Sequence, residues 1–439
     1  MSWCIQECMS VSPLDKTFKR IHLFINRWCK KTHKTKNLFN IYKIILDYYN
    51  HKIQLMGIGK TNKSEWKIYK KITNILNQGP STLYFSKNKQ FTSFNIFIIN
   101  NDKLYIACNG KKPYIAAKFP REYKFDLMSI GEFGKHNIIK VIHKINGKQR
   151  FYGIGDRQYL DKYLFVDVNF DYKNNKKMKL FKLEYLNCVF RKTNIICIGT
   201  GKKHTLWLCD NGKIYSGGNN SWGQCGHDPQ ILFNENNNKI IGVKQITQKN
   251  IKNIIDISCG MHHNLIIDQN GNALIFGRYN YNTPTKNNKQ TYSGWIARKV
   301  NYAHENQNLK MVKAACGIKN FNVMLSKNGE LFVSDYVLLQ LNNNNKNVNI
   351  FSCINKKYKE FEKTIFTKIS TGKRHIIAFA RPYFYFLGLN NYSQCGHDKK
   401  RLYIRKPYKF TEHMKETCKP DLLSAMAYEK ESFVIVETF

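Results

Sequence analysis

Short apolar runs alternate with glycine- and asparagine-rich turns along most of the chain, and the runs recur. "GKKHTLWL" starts at Gly201, "GMHHNLII" at Gly260 and "GKRHIIAF" at Gly372, each a Gly-x-x-His followed by a strand-like stretch. A degenerate copy, "GIKNFNVML", starts at Gly317, with Asn320 read in the place of the histidine. Successive starts differ by 59, 57 and 55 residues (260−201, 317−260, 372−317). A tight turn and a second apolar run follow in "DNGKIYSGG" (210–218), "QNGNALIFG" (269–277) and "KNGELFVSD" (327–335). Asn-Gly takes positive φ at both central positions at little cost, so it predicts a two-residue hairpin turn in each unit.

With that frame, weaker copies emerge at 91–110 and 138–155, a lone second strand at 51–59 ("HKIQLMGIG") and a lone first strand at 422–439. Second-strand landmarks are read at Gly57, Cys108, Gly153, Gly218, Gly277, Ser334 and Gly388. The half-units at the two ends complement each other. A hairpin that cannot bury its own faces must stack on neighbours, and ring closure leaves no unpaired end. The expectation is an all-β fold, a seven-bladed β-propeller closed by pairing of the N- and C-terminal strands. An open β-solenoid is the alternative, but it needs no complementary half-units.

The best-defined turn, "IYSGGNNSWGQCG" (214–226), resembles the regulator of chromosome condensation repeat. Gly218, Asn220, Gly223, Gln224 and Gly226 match that pattern, and Cys225 stands where it has leucine. In the echo at 385–398, Gly388, Asn390, Gln394 and Gly396 match, with Ser393 in a usual glycine position. These residues are expected to build turns, with Asn satisfying backbone groups and Gln bridging to the adjacent blade. The resemblance implies the seven-bladed propeller. It also implies two activities: binding of chromatin through a propeller face and a basic tail, or guanine-nucleotide exchange on a small Ran-like GTPase.

Composition narrows the chemistry. The 439 residues carry 71 Lys+Arg against 30 Asp+Glu, a formal charge of +41. Such an excess points to nucleic acid, an anionic surface or an acidic protein; A/T-rich codon usage is the duller source of the lysines. The 13 cysteines are scattered singly, without CxxC knuckles, and read as reduced, packed thiols. Cys225-Gly226-His227, Cys395-Gly396-His397 and Cys259 near His262 and His263 lie in different units, whereas zinc needs four converging ligands. They are read as packing and turn residues. No nucleophile elbow or phosphate loop occurs, and "GIGKTNKS" (57–64) lacks Walker spacing. No catalytic, cofactor or metal residue is expected.

Residues 1–50 are expected to form a basic helical extension, and 51–439 the propeller. Ser12-Pro13 reads as a helix start, and Leu14, Phe18, Ile21, Ile25 and Trp28 form an apolar stripe. Lys16, Lys19, Arg20, Arg27, Lys30, Lys31, Lys34 and Lys36 are the candidate polyanion-binding residues. The start lacks a secretory pattern and no apolar run reaches bilayer length, so an intracellular protein, nuclear or cytoplasmic, is expected. The function expected is a non-enzymatic, monomeric scaffold for DNA, RNA, chromatin or an acidic protein. The alternatives are an exchange factor for a small GTPase and an adaptor in a ubiquitin-ligase or trafficking complex.

Overall fold

The computed structural model describes residues 9–11, 52–59, 67–68, 74, 81–87, 94–100, 103–108, 113–130, 137–154, 180–229, 240–278, 294–302, 309–317, 321–334, 350–372, 374–381, 383–391, 394–395, 402–409, 421–428 and 431–438. The strands form seven sheets. Blade 1 takes Asp421–Tyr428, Glu431–Thr438, Lys52–Gly59 and Lys67–Ile68 in that order, so it is built from both ends of the chain. Six sheets follow in chain order: blade 2 from Ser81, blade 3 from Tyr123, blade 4 from Ile195, blade 5 from Ile254, blade 6 from Met311 and blade 7 from Lys368. The expected seam is present: an antiparallel ladder runs from Lys52↔Thr438 through Met56↔Val434 to Gly59↔Glu431.

The first strand of each blade lies beside the first strand of the next, from blade 2 round to blade 1. The apolar cores lie between blades rather than within them. One cluster joins Leu206 and Ile214 of blade 4 to Ile257 and Phe276 of blade 5, and another joins Val323 of blade 6 to Ile376 and Leu387 of blade 7. Fully buried Trp207 packs toward blade 3 with Phe151 and Phe190. A blade alone would expose both faces of its sheet, which is why the repeat folds only as a stack.

Strand direction assigns two faces. First strands run toward the Gly-x-x-His loops, and second strands return to the Asn-Gly turns. The connections between blades lie on the Asn-Gly side, where Ile254 N–H donates to Gly212 O (3.1 Å) and Gln269 N–H to Asn253 O (2.9 Å). A β-bulge recurs at one place in the first strands, between Phe125 and Leu127, Ile195 and Cys197, Ile254 and Asp256, Met311 and Lys313, and Leu422 and Ser424. Charged residues at two of these bulges tie blades together. Asp256, buried, pairs with Lys313 Nζ at 2.6 Å and accepts from Ala314 N–H at 2.8 Å.

The bulges fix equivalences that correct the landmarks. His204 pairs Gly218, His263 pairs Gly277 and His375 pairs Gly388. In blade 6, Cys316 pairs Asn322 as Cys259 pairs Asn264, so Phe321, not Asn320, occupies the histidine place. Asn322 N–H donates to Ser334 Oγ, so Ser334 faces Asn322 rather than the histidine place and is not the equivalent of Gly277. In blade 3, Asn137 pairs Ile130 and Ile154, so Gly153, which faces Ile138, is not the equivalent of Gly218. In blade 1, Gly59 rather than Gly57 faces Glu431, the equivalent of the histidine.

The expected helices of residues 1–50, and Lys16, Lys19, Arg20, Arg27, Lys30, Lys31, Lys34 and Lys36, lie outside the described residues, as does Gly396. Within that stretch Met9–Val11 is a strand. It pairs with Ser81–Leu83 on the channel side of blade 2 and lies beside Asp421–Tyr428 of blade 1. Val11 and Lys52, the described residues that bracket 12–51, both sit at the Asn-Gly end of their strands.

Candidate interaction faces

The Gly-x-x-His motif has a packing reason. A methyl group on Gly201 would stand 2.1 Å from His204 Cε1, and one on Gly260 would stand 2.4 Å from His263 Cε1. The imidazole therefore occupies the space that any other residue would fill. Each ring then reaches the next blade: His204 Nε2 meets Asn264 Oδ1 at 2.7 Å, and His263 Nε2 meets Asn322 Oδ1 at 2.8 Å. An amide oxygen only accepts, so Nε2 is the donor in both bonds. Burial holds both imidazoles down at about 4. Asn264 also donates from Nδ2 to Gln224 O (2.7 Å), continuing the chain of bonds back into blade 4.

At blade 6 the polar pair is replaced on both sides. Phe321 stands in the histidine place, Ile376 stands where the partner Asn would be, and both belong to one apolar cluster. The interface between blades 6 and 7 is thus sealed by hydrophobic contact at the point where the preceding interfaces use a hydrogen bond.

The glycine-rich turn that recurs in blades 4 and 7 is closed by its own side chains. Asn220 Oδ1 accepts from Cys225 N–H (2.9 Å), and its Nδ2 donates to His227 O (2.8 Å). Asn390 Oδ1 repeats this with Cys395 N–H at 3.0 Å. Gln224 does not bridge blades through its side chain. It accepts from Trp222 N–H (2.8 Å) and donates to Asn219 Oδ1 (2.8 Å). The bridge is made by Gln248, which donates to Gly226 O (2.8 Å) and Trp295 O (2.6 Å) and accepts from Ala297 N–H (2.8 Å). Gly218, Gly223, Gly226 and Gly388 all have positive φ. At Gly223 a methyl group would lie 2.4 Å from Trp295 N. Nothing in the sequence marked Gln248, which sits in an inter-blade connection without a motif.

Cys225 and Cys395 are fully buried, and burial pushes both thiols far up, out of the nucleophilic range. Cys197 departs from the expected free thiols: it is disulfide-bonded. Among the described residues, no group of His, Cys, Asp and Glu could hold a metal ion, and no helix is long and apolar enough to cross a membrane.

Two surfaces carry chemistry suited to recognition. On the Asn-Gly face, exposed cations occur in consecutive blades or their connections: Lys148, Lys192, Lys213, Lys252, Lys327 and Arg381. Fewer exposed acids, such as Asp210 and Glu362, accompany them. On the Gly-x-x-His face, backbone bonds gather a second cluster between blades 4 and 5. Lys202 N–H donates to Met261 O (3.3 Å), and Arg278 N–H donates to His262 O (2.7 Å). The Arg278 guanidinium lies over the Trp222 ring at 4.0 Å.

Comparison with known proteins agrees with this geometry. The family model described as regulator of chromosome condensation (RCC1) repeat matches residues 211–267. An RCC1 domain-containing protein of Dictyostelium discoideum is 25% identical over 232 residues, covering 47% of this chain and 44% of that one. A human RCC1-like G exchanging factor-like protein is 29% identical over 87 residues, 20% of this chain and 18% of its own. The chain thus spans less than half the length of these relatives. Among solved structures, Prp20p of Saccharomyces cerevisiae, described with its binding properties to Gsp1p and histones, has a TM-score of 0.61 at 13% identity. It covers 88% of this chain and 92% of its own. Human WBSCR16 has a TM-score of 0.58 at 14% identity, with 89% and 99% covered.

Proposed function

We propose that this divergent RCC1-like propeller is a non-enzymatic interaction scaffold whose Asn-Gly face takes up the phosphates of nucleic acid. The observation that carries this reading is the run of exposed cations from Lys148 to Arg381 across successive blades on one face. Rigid strands fix their spacing, and phosphate neutralisation gives affinity with little sequence preference. The basic segment 12–51, with Lys16, Lys19, Arg20, Arg27, Lys30, Lys31, Lys34 and Lys36, is proposed as a second contact because Val11 and Lys52, which bracket it, both lie at that face. Likeness to a protein described with binding to histones supports a chromatin setting and a nuclear or cytoplasmic location.

Duplex DNA binding tests the reading. The logarithm of affinity should fall linearly with the logarithm of salt concentration. Replacing Lys192, Lys252 and Lys327 by Gln together should reduce that slope by about 3. Affinity indifferent to salt, or a slope unchanged in the triple variant, would refute it.

A second reading rests on the human relative's description as exchanging-factor-like and on Prp20p's described binding to Gsp1p. As an exchange factor the propeller would reshape a small GTPase's nucleotide pocket without bond chemistry. Release of a fluorescent guanine nucleotide from Ran-like GTPases checks it, and no acceleration at micromolar protein would remove it.

A further inference from the structure

The cluster on the Gly-x-x-His face lies opposite the proposed nucleic-acid surface and has a different character. It is compact, it mixes cations with aromatic and apolar groups, and its backbone is fixed. The loop 201–203 of blade 4 and the loop 260–262 of blade 5 are joined by the Lys202 N–H to Met261 O bond. The end of the third strand of blade 5 joins them through the Arg278 N–H to His262 O bond. Three basic residues from three segments are thereby brought to one spot at the boundary of two blades.

Their side chains feel one another. Burial holds the His262 imidazole down at about 3, and the positive charges of Lys202 and Arg278 add to the effect. The Lys202 ammonium forms no ion pair with a described residue. Beside the cations stand two partly exposed indoles. Trp222 stacks under Arg278, and the Trp295 backbone packs against Gly223, the residue after Trp222. Ile296, next in the chain, is 38% exposed. Arginine held flat on tryptophan loses little side-chain freedom on meeting a carboxylate, and such pairs are enriched where proteins bind proteins.

We propose that Lys202, His262, Arg278 and Trp222 form a docking site for an acidic, apolar-flanked segment of a protein partner. Lys202 and Arg278 take its carboxylates, the neutral His262 ring offers a hydrogen bond, and Trp222 and Ile296 take its apolar side chains. Charge complementarity selects the partner. A nucleic-acid backbone fits less well, because it offers evenly spaced phosphates and no aliphatic groups to cover Ile296. This inference does not depend on the nucleic-acid reading of the other face.

The test is titration of the full-length protein, followed by tryptophan fluorescence, with a twelve-residue peptide in which Glu and Asp alternate with Leu and Phe. A peptide with Gln and Asn in place of the acids, and a short DNA duplex, serve as the other arms. The acidic peptide should bind and change the fluorescence, and the neutral one should bind at least tenfold more weakly. Arg278→Glu should weaken acidic-peptide binding at least tenfold while leaving duplex affinity within twofold. Lys202→Glu, whose side chain does not stack, should act in the same direction, and thermal midpoints near wild type would show both variants folded. Failure of the acidic peptide to bind, equal binding of the neutral peptide, or undiminished binding by both folded variants would overturn the proposal. So would a duplex that competes the acidic peptide off this site.

Discussion

Individual side chains carry the contacts between blades, and the substitution at blade 6 shows how. His263 and Asn322 exchange a buried hydrogen bond, whereas Phe321 and Ile376 meet as apolar neighbours. Phe321→His alone should cost about 1–3 kcal/mol, the penalty of a buried polar group without a partner. Adding Ile376→Asn should recover at least half of that loss. A chemical-denaturation cycle measures the coupling, and strict additivity of the two changes would contradict the equivalence.

The neutral histidines also set an acid limit. With folded values of about 4 against an ordinary 6.5, His204 and His263 bind protons less readily in the folded state. Their stabilising contribution is therefore complete above pH 6.5 and is lost as pH falls toward 4, on the order of 3 kcal/mol for each ring. The thermal midpoint should drop steeply over that interval. His263→Gln with Asn322→Leu should flatten the drop, and an unchanged profile would remove these rings as its source.

Strands and turns were legible in the sequence wherever their signals are local. The Asn-Gly turns announce themselves through the glycine: Gly212, Gly271 and Gly329 have positive φ, whereas the asparagines before them do not, so these turns are not the expected two-residue type with positive φ at both positions. Register was not local. Gly57 and Gly59 lie two apart and so face the same side of a strand. Only the partner strand decides which is equivalent to Gly218. One extra residue between Gly317 and Asn322 hid Phe321 in the same way, because Asn320 satisfied the written spacing. Of the interaction faces, the sequence showed the excess of charge, but not that Lys202, His262 and Arg278 meet, since three separate loops bring them together.

Met9–Val11 makes a prediction at this scale. It adds a strand to the channel side of blade 2 and lies beside blade 1, bracing the seam from within. Ser10→Pro should undo that pairing. Hydrogen exchange of the 81–83 amides should quicken, while amides of 263–268 in blade 5 stay as slow as before. Equal rates in both proteins would mean that the strand contributes nothing.

At the scale of the whole molecule, everything rests on one seam. From blade 3 to blade 7 neighbouring sheets share their cores, and a ring of such sheets is complete only if the last blade finds the first. The protein achieves this by lending Lys52–Gly59 from one end to Glu431–Thr438 from the other. Both proposed binding faces inherit their geometry from that closure, because each gathers residues from different blades.

Hydrogen exchange of the segment 52–59, in the intact chain and in Val434→Pro, addresses the seam directly. Its N–H groups should exchange slowly in the intact protein and lose that protection when proline interrupts the ladder in the facing strand. Fast exchange of 52–59 in the intact chain, or protection that survives Val434→Pro, would contradict the closed ring.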